Sequence, residues 1–310
     1  MRILHLSDTH LGTRSWVRGA PRDYRRSLDH ERALLAALDP AMRGRVDLVV
    51  HTGDLFDRSR PPEAAVRRLS SILANLARKV PVVLMPGNHD RRGIRHNLPT
   101  HLPNVHVFDR AERIDIAGVR LGVVPYVGDA DGWAAAAERA CRGGVDLLLS
   151  HQAFDGAVVP GFTFREGQQA DTIGERHLPR GVKWILCGHI HPRQAVKLGE
   201  ATVVHPGSTE RTAFSERLQP KGYVLWTLDG PTRWRFVDLP TRRMVVVGIE
   251  DHLAQVTPGC LVRITPDLNT EAMEEQVMKR GGWLCGPPPQ AAPVARRPRP
   301  PRNQLKLWQR

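Results

Sequence analysis

The chain has 310 residues, with 45 Lys and Arg against 32 Asp and Glu, a formal charge of +13 and a pI near 10.5. That excess favours a polyanionic partner (nucleic acid, phosphorylated small molecules or an anionic surface), although 39 of the cations are arginine, a bias that a GC-rich genome alone can produce. Four scattered cysteines with no C-x-x-C fit buried thiols in a reducing compartment better than a zinc ribbon or a disulfide framework, and no apolar run reaches the length of a membrane span.

In chain order, short apolar runs predict strands at Ile3–Leu6, Val46–Val50, Val80–Met85, Val119–Val124, Val145–Ser150 and Lys183–Cys187. Pro62 opens a helix in which Val66, Leu69, Leu73 and Leu76 recur at spacings of three and four. From Gln194 the pattern changes to antiparallel hairpins, with runs at Ala195–Leu198, Thr202–His205, Gly222–Leu228 and Trp234–Val237. A boundary falls near Pro240. Beyond it, Met244–Ile249, Leu261–Ile264 and a helix over Glu271–Lys279 form a small β/α appendage (241–285), and 286–310 is a Pro/Arg-rich tail expected to be extended or flexible. The alternation over 1–240 is that of an α/β domain. With Asp8 too close to the N-terminus for a signal-peptide core, the protein is expected in the cytoplasm.

Polar residues gather where the strands stop. Asp8 and His10 follow the first strand, Asp54 and Asp57 (GDLFD) the second, and Asn88, His89 and Asp90 (GNHD) the third. His151 closes the run Leu147–Ser150, while His189 and His191 (GHIH) close the run ending at Cys187. Open α/β sheets collect functional groups at these ends. Each residue alone has an ordinary reading as a turn or cap residue; five such turns in one order do not. Side chains at i and i+2 of an extended segment point the same way, so His189 and His191 are expected to face one point.

Asp, His and Asn without Cys make an oxygen and nitrogen ligand set suited to Mn²⁺, Fe²⁺ or Zn²⁺. Seven such residues exceed the needs of one ion, and two adjacent ions need a bridging carboxylate, for which Asp54 is the natural candidate. His89 is surplus to the ligand count and suits transition-state stabilisation or protonation of a leaving oxygen. Asp57 and Asp90 are placed to orient histidines from behind.

Taken together, D-x-H, G-D-x-x-D, G-N-H-D, a lone His and G-H-x-H resemble the calcineurin-like metallophosphoesterase superfamily over residues 1 to about 215. The resemblance implies a two-sheet α/β sandwich flanked by helices. It also implies one metal on Asp8, His10, Asp54 and His191, a second on Asp54, Asn88, His151 and His189, and His89 as the catalytic histidine. The words "HLSDTHLG", "TGDLFDRSRPP", "MPGNHD", "CGHIHPRQ" and "HPGSTER" closely resemble the SbcD-type DNA-repair nucleases. That similarity implies Mn²⁺-dependent exonuclease action on duplex ends, endonuclease action on single strands, a homodimer and an SbcC-type coiled-coil ATPase partner at the nucleoid. The appendage is shorter than the family's capping domain, so the partner and the usual substrate gate rest on less sequence than the site does.

Charge position separates DNA from a small phosphoester. Arg14, Arg18, Arg22, Arg25 and Arg26 follow His10, with Trp16 and Tyr24 among them. Arg58 and Arg60 follow Asp57, Arg91, Arg92 and Arg95 follow Asp90, Arg193 follows His191, and Arg211 follows the P-G-S turn. Basic loops with interleaved aromatics suit a phosphate backbone and unstacked bases. Arg14, Arg18, Arg58, Arg60, Arg91, Arg92, Arg193 and Arg211 are therefore the expected DNA contacts. The alternative is a small-molecule phosphoesterase acting on nucleotides or cyclic nucleotides, with the same metals and no basic track.

Overall fold

The computed structural model describes residues 1–15, 17–91, 97–98 and 100–286. Trp16, Arg92, Arg95 and the tail beyond Gly286 lie outside the described residues. Two six-stranded sheets form the body. The first runs Arg233–Asp238, Gly222–Thr227, Arg2–Leu6, Leu48–Thr52, Val82–Met85 and Val105–Val107 across its width. The second runs Gln194–Leu198, Ala201–His205, Trp184–Gly188, Leu147–His151, Val119–Val124 and Glu112–Ile116.

The central strands are apolar on both faces, and their period of two sorts the residues. Ile3, Leu48, Val50, Val83 and Met85 face Leu121, Val123, Leu147, Leu149 and Leu186 across the sheet interface. Leu4, Leu6, Val49, Val82 and Leu84 face outward onto the helices Arg26–Met42 and Glu63–Ala77. On the second sheet, Leu148, Ile185 and Cys187 face Trp133, Ala137 and Ala140 of the helix Ala130–Ala140. The central strands of each sheet pair in parallel, so their C-terminal ends lie in line. A bridge between Ser7 and Ser208 joins the sheets at that end.

Two elements differ from the sequence reading. Residues from Arg26 belong to a 17-residue helix rather than to a loop, and its buried face is Ala33, Leu34, Ala37, Leu38 and Ala41. Val17–Arg18, in the stretch read as a basic loop, is a strand. Strands Met244–Val247, Leu261–Ile264 and Trp283–Cys285 are joined by Val17–Arg18 in one four-stranded sheet, with Val17 opposite Cys285. The helix Glu271–Lys279, capped by Thr270 Oγ1 accepting from Met273 N, closes the core of Val245, Val262, Val277 and Leu284.

Arg242 links the appendage to the body. Its guanidinium donates to Asp29 Oδ2 at 2.7 Å and Oδ1 at 2.8 Å on the first helix and to Gly259 O at 2.7 Å in the appendage. It lies over the Tyr24 and Trp283 rings, 5.0 and 4.4 Å from their centroids.

Candidate active site

The turns after Leu6, Thr52, Met85 and Gly188, together with His151 at its strand end, bring all seven expected ligands into one cluster. Asp8, His10 and His191 offer ligand atoms within 4.8 Å of one another, and so do Asp8, Asp54 and His151. Asn88 Oδ1 lies 3.1 Å from His151 Nε2 and 3.0 Å from His189 Nδ1. Asp54 Oδ2 sits between the two groups, 3.8 Å from His10 Nε2, 3.6 Å from His151 Nε2 and 3.9 Å from His89 Nε2. It is the carboxylate oxygen common to both halves of the cluster.

The backbone is bent to do this. Asp8, His10, Asp54 and His189 all have positive φ (53°, 44°, 54° and 78°), a left-handed conformation that costs non-glycine residues energy and concentrates at functional sites. His189 is therefore not extended, and the two histidines of the H-x-H do not share a face in the manner of a strand. The turn sends His189 to Asn88 and His191 to His10, whose Nε2 is 3.1 Å from that of His191. The glycines before the ligands stand where no side chain would fit. A Cβ on Gly53 would stand 2.2 Å from His151 Nδ1, one on Gly87 2.1 Å from Asp54 Oδ1, and one on Gly188 2.1 Å from Ser7 Oγ. They let the ligand loops pack on one another.

The donor chemistry fits cations. His151 Nδ1–H donates to Thr52 O at 2.7 Å, and His191 Nδ1–H to Glu216 Oε1 at 2.7 Å, so each Nε2 is free to present a lone pair inward. Asp8 and Asp54 are buried, and among the described residues neither carboxylate is paired with a Lys or Arg. Burial opposes the charge on Asp54, yet His151 and His10 hold its carboxyl well below the usual range. Burial works against the cationic form of His151, and Asp54 outweighs it, raising that imidazole to about 9. Burial lowers His189 to about 3. Asp54 thus draws its compensating positive charge from His151, while burial keeps His10 and His189 neutral, the form in which an imidazole can hold a divalent ion.

Supporting residues were only partly anticipated. Asp90 is held by backbone donors rather than by a histidine hydrogen bond among the described residues. Its carboxylate accepts from Leu55 N (2.7 Å), Phe56 N (3.2 Å) and Gly87 N (2.8 Å), tying two ligand loops together. Burial and then Asp54 push it up to about 7. Asp57 places its carboxylate 3.9 Å from His10 Nδ1, and its carbonyl accepts from His89 Nδ1 at 2.9 Å. Glu216 was missed. It accepts from His191, from Thr212 Oγ1 at 2.8 Å and from Thr212 N at 2.9 Å, and lies 2.8 Å from Lys221 Nζ. Burial favours its neutral form, but His191 and Lys221 keep it well below the usual carboxylate range. Glu216→Gln is expected to weaken metal binding about 10–100-fold, as read by equilibrium dialysis, with the far-ultraviolet circular dichroism unchanged.

The expected DNA contacts divide. Arg14, Arg58, Arg60 and Arg91 are exposed, although Arg58 also pairs with Asp57 at 3.1 Å. Three others are engaged within the chain, contrary to expectation. Arg18 forks onto Glu274 of the appendage, with Nη1 2.7 Å from Oε2. Arg193 pairs with Asp238 and lies over Phe236. Arg211 gives its donors to the Glu216, Gln219 and Arg242 carbonyls and to Thr241 Oγ1. Arg26, also expected in a basic loop, is buried against Asp29 and Glu210.

The chain resembles known proteins in sequence. The profile of the calcineurin-like phosphoesterase family matches residues 1–193. The DNA double-strand break repair protein Mre11 of Methanosarcina mazei is 29% identical over 252 residues, which is 74% of this chain and 36% of that protein. A subunit of the nuclease SbcCD of Staphylococcus epidermidis is 23% identical over 256 residues, 72% of this chain and 65% of that one. The chain therefore spans only part of the length of either relative. A solved archaeal phosphodiesterase covers 77% of this chain and 100% of its own at 15% identity, with a TM-score of 0.42. Among the described residues no helix is long and apolar enough to cross a membrane.

Proposed function

The chain belongs to the calcineurin-like phosphoesterase family, and from that premise we propose that it is a two-metal phosphodiesterase acting on DNA. The proposed activity is that of a Mn²⁺-dependent exonuclease on duplex ends, with endonuclease action on single strands, in repair or recombination. The observation that carries this reading is Asp54 Oδ2 standing within 4 Å of imidazoles from both halves of the cluster. Similarity to two DNA-repair nucleases supports the choice of substrate.

Asp8, His10, Asp54 and His191 would hold one ion, and Asp54, Asn88, His151 and His189 the other. Bound there, a pair of divalent ions supplies Lewis-acid activation of the attacking water and charge stabilisation at the scissile phosphate. The chain's own residues do the rest. His89 Nδ1–H is fixed on Asp57 O, leaving Nε2 to face the cluster and to pass a proton to the departing oxygen. Arg14, Arg58, Arg60 and Arg91 would meet the phosphate backbone. A homodimer, an SbcC-type ATPase partner and a place at the nucleoid belong to the same reading.

The test is hydrolysis of end-labelled linear duplex and single-stranded DNA by metal-stripped protein with Mn²⁺ or Mg²⁺ added back. Metal-dependent degradation with a steep salt dependence is the expected result. Intact DNA alongside cleavage of a small phosphodiester or a cyclic nucleotide would instead mark a small-molecule phosphoesterase.

A further inference from the structure

Tyr126 follows the strand Val119–Val124 and has no part in the ligand set, yet it stands against two of the ligands. Its ring centroid is 6.4 Å from that of His151 and 6.0 Å from that of His189. The hydroxyl donates to Asp171 Oδ2 at 2.9 Å. Gln152, the neighbour of His151, fastens the surroundings: its Nε2 donates to Asp171 O at 2.7 Å and to Val127 O at 2.9 Å. The ring is thus fixed from behind, beside the Asn88–His151–His189 half of the cluster.

Arg91 lies over this ring, with Cζ 5.6 Å from the centroid. It is exposed, two residues after His89, and among the described residues no carboxylate pairs with it. Arg18, Arg193 and Arg211 show the opposite arrangement, with guanidiniums engaged by acids or carbonyls of the chain. A guanidinium placed by a π face keeps its five N–H donors open, and its fork matches a phosphate.

We propose that Arg91, positioned by Tyr126, forms a subsite for the phosphate next to the scissile one, on the His151 and His189 side. This rests on the polynucleotide reading above and deepens it. The ligand class is a phosphodiester chain with at least two phosphates; a lone phosphodiester leaves the subsite unused. Tyr126 is a positioning residue acting through Arg91.

The experiment compares a short single-stranded oligonucleotide with bis(p-nitrophenyl) phosphate, which carries only the scissile phosphate, using Mn²⁺-loaded protein. Arg91→Ala and Tyr126→Leu are each expected to raise KM for the oligonucleotide about tenfold with little change in kcat, and to leave the small substrate unaffected. Tyr126→Phe, which keeps the ring, should stay within about threefold of the parent, and Arg91→Ala should lower the salt slope by about one charge. Arg91 is on the surface, so its variants test the subsite even if Tyr126→Leu folds poorly. Equal losses on both substrates in a Tyr126→Leu protein with the parent's circular dichroism, or no loss on either in Arg91→Ala, overturn the proposal. A parent enzyme that cleaves only bis(p-nitrophenyl) phosphate overturns the DNA reading itself, and the subsite with it.

Discussion

His89→Ala is expected to lower kcat by about 10²–10⁴-fold on a DNA or a small phosphodiester substrate while leaving the bound metal unchanged. The geometry separates the two effects. The His89 side chain is 43% exposed, and its Nε2 is 3.9 Å from Asp54 Oδ2. Its backbone N–H donates to Asp54 Oδ1 at 3.0 Å, a bond that alanine keeps, so the Asp54 carboxylate stays aimed. His10, Asp54 and His89 are nevertheless close enough to share an ion. Metal analysis after gel filtration decides the matter. Metal lost together with activity would make His89 a ligand rather than an acid.

Asp29→Asn is expected to destabilise the chain by about 3 kcal/mol, the low end for breaking a buried pair, because Arg26 keeps Glu210. Asp29 is 5% exposed and meets Tyr24 Oη, Arg26 and Arg242 at once. Burial alone raises its carboxyl, but hydrogen bonds from Arg242, Tyr24 and Arg26 bring it below the ordinary value. A depressed carboxylate contributes stability that is full above its unfolded pKa and lost as pH falls through the folded one. The gap between parent and variant in urea unfolding is therefore widest above about pH 4 and narrows in stronger acid. A gap that grew on acidification would contradict the ion-pair account.

The sandwich was legible because each central strand is a short apolar run, and those runs end in the residues that carry the chemistry. Where strands are parallel and consecutive, the order of turns in the sequence is also their order along the sheet edge. Glu216 was not legible. It lies in a stretch without periodicity, and its role exists only through a fold that brings it to His191, 25 residues earlier. The arginines misled for a related reason. A run such as RDYRRSLDHER reads as a basic loop, but the partners that bury Arg26 are Asp29, inside the run, and Glu210, which is 184 residues away. Arg18 likewise meets its acid 256 residues later. The partners that the fold supplies, rather than local charge density, decide which arginines remain open to substrate.

The pairing of Val17 with Cys285 has a consequence for assembly. The segment that leaves the ligand His10 finds its strand partner only near the far end of the described chain, so this contact closes a loop spanning most of the protein. Such closures are slow and come late. During synthesis the two large sheets can form while Val17 and Arg18 still lack Cys285, Leu284 and Glu274. The stretch between His10 and that strand therefore settles last, and a ribosome-bound fragment ending before residue 285 would carry every expected metal ligand with one of its ligand loops still unanchored.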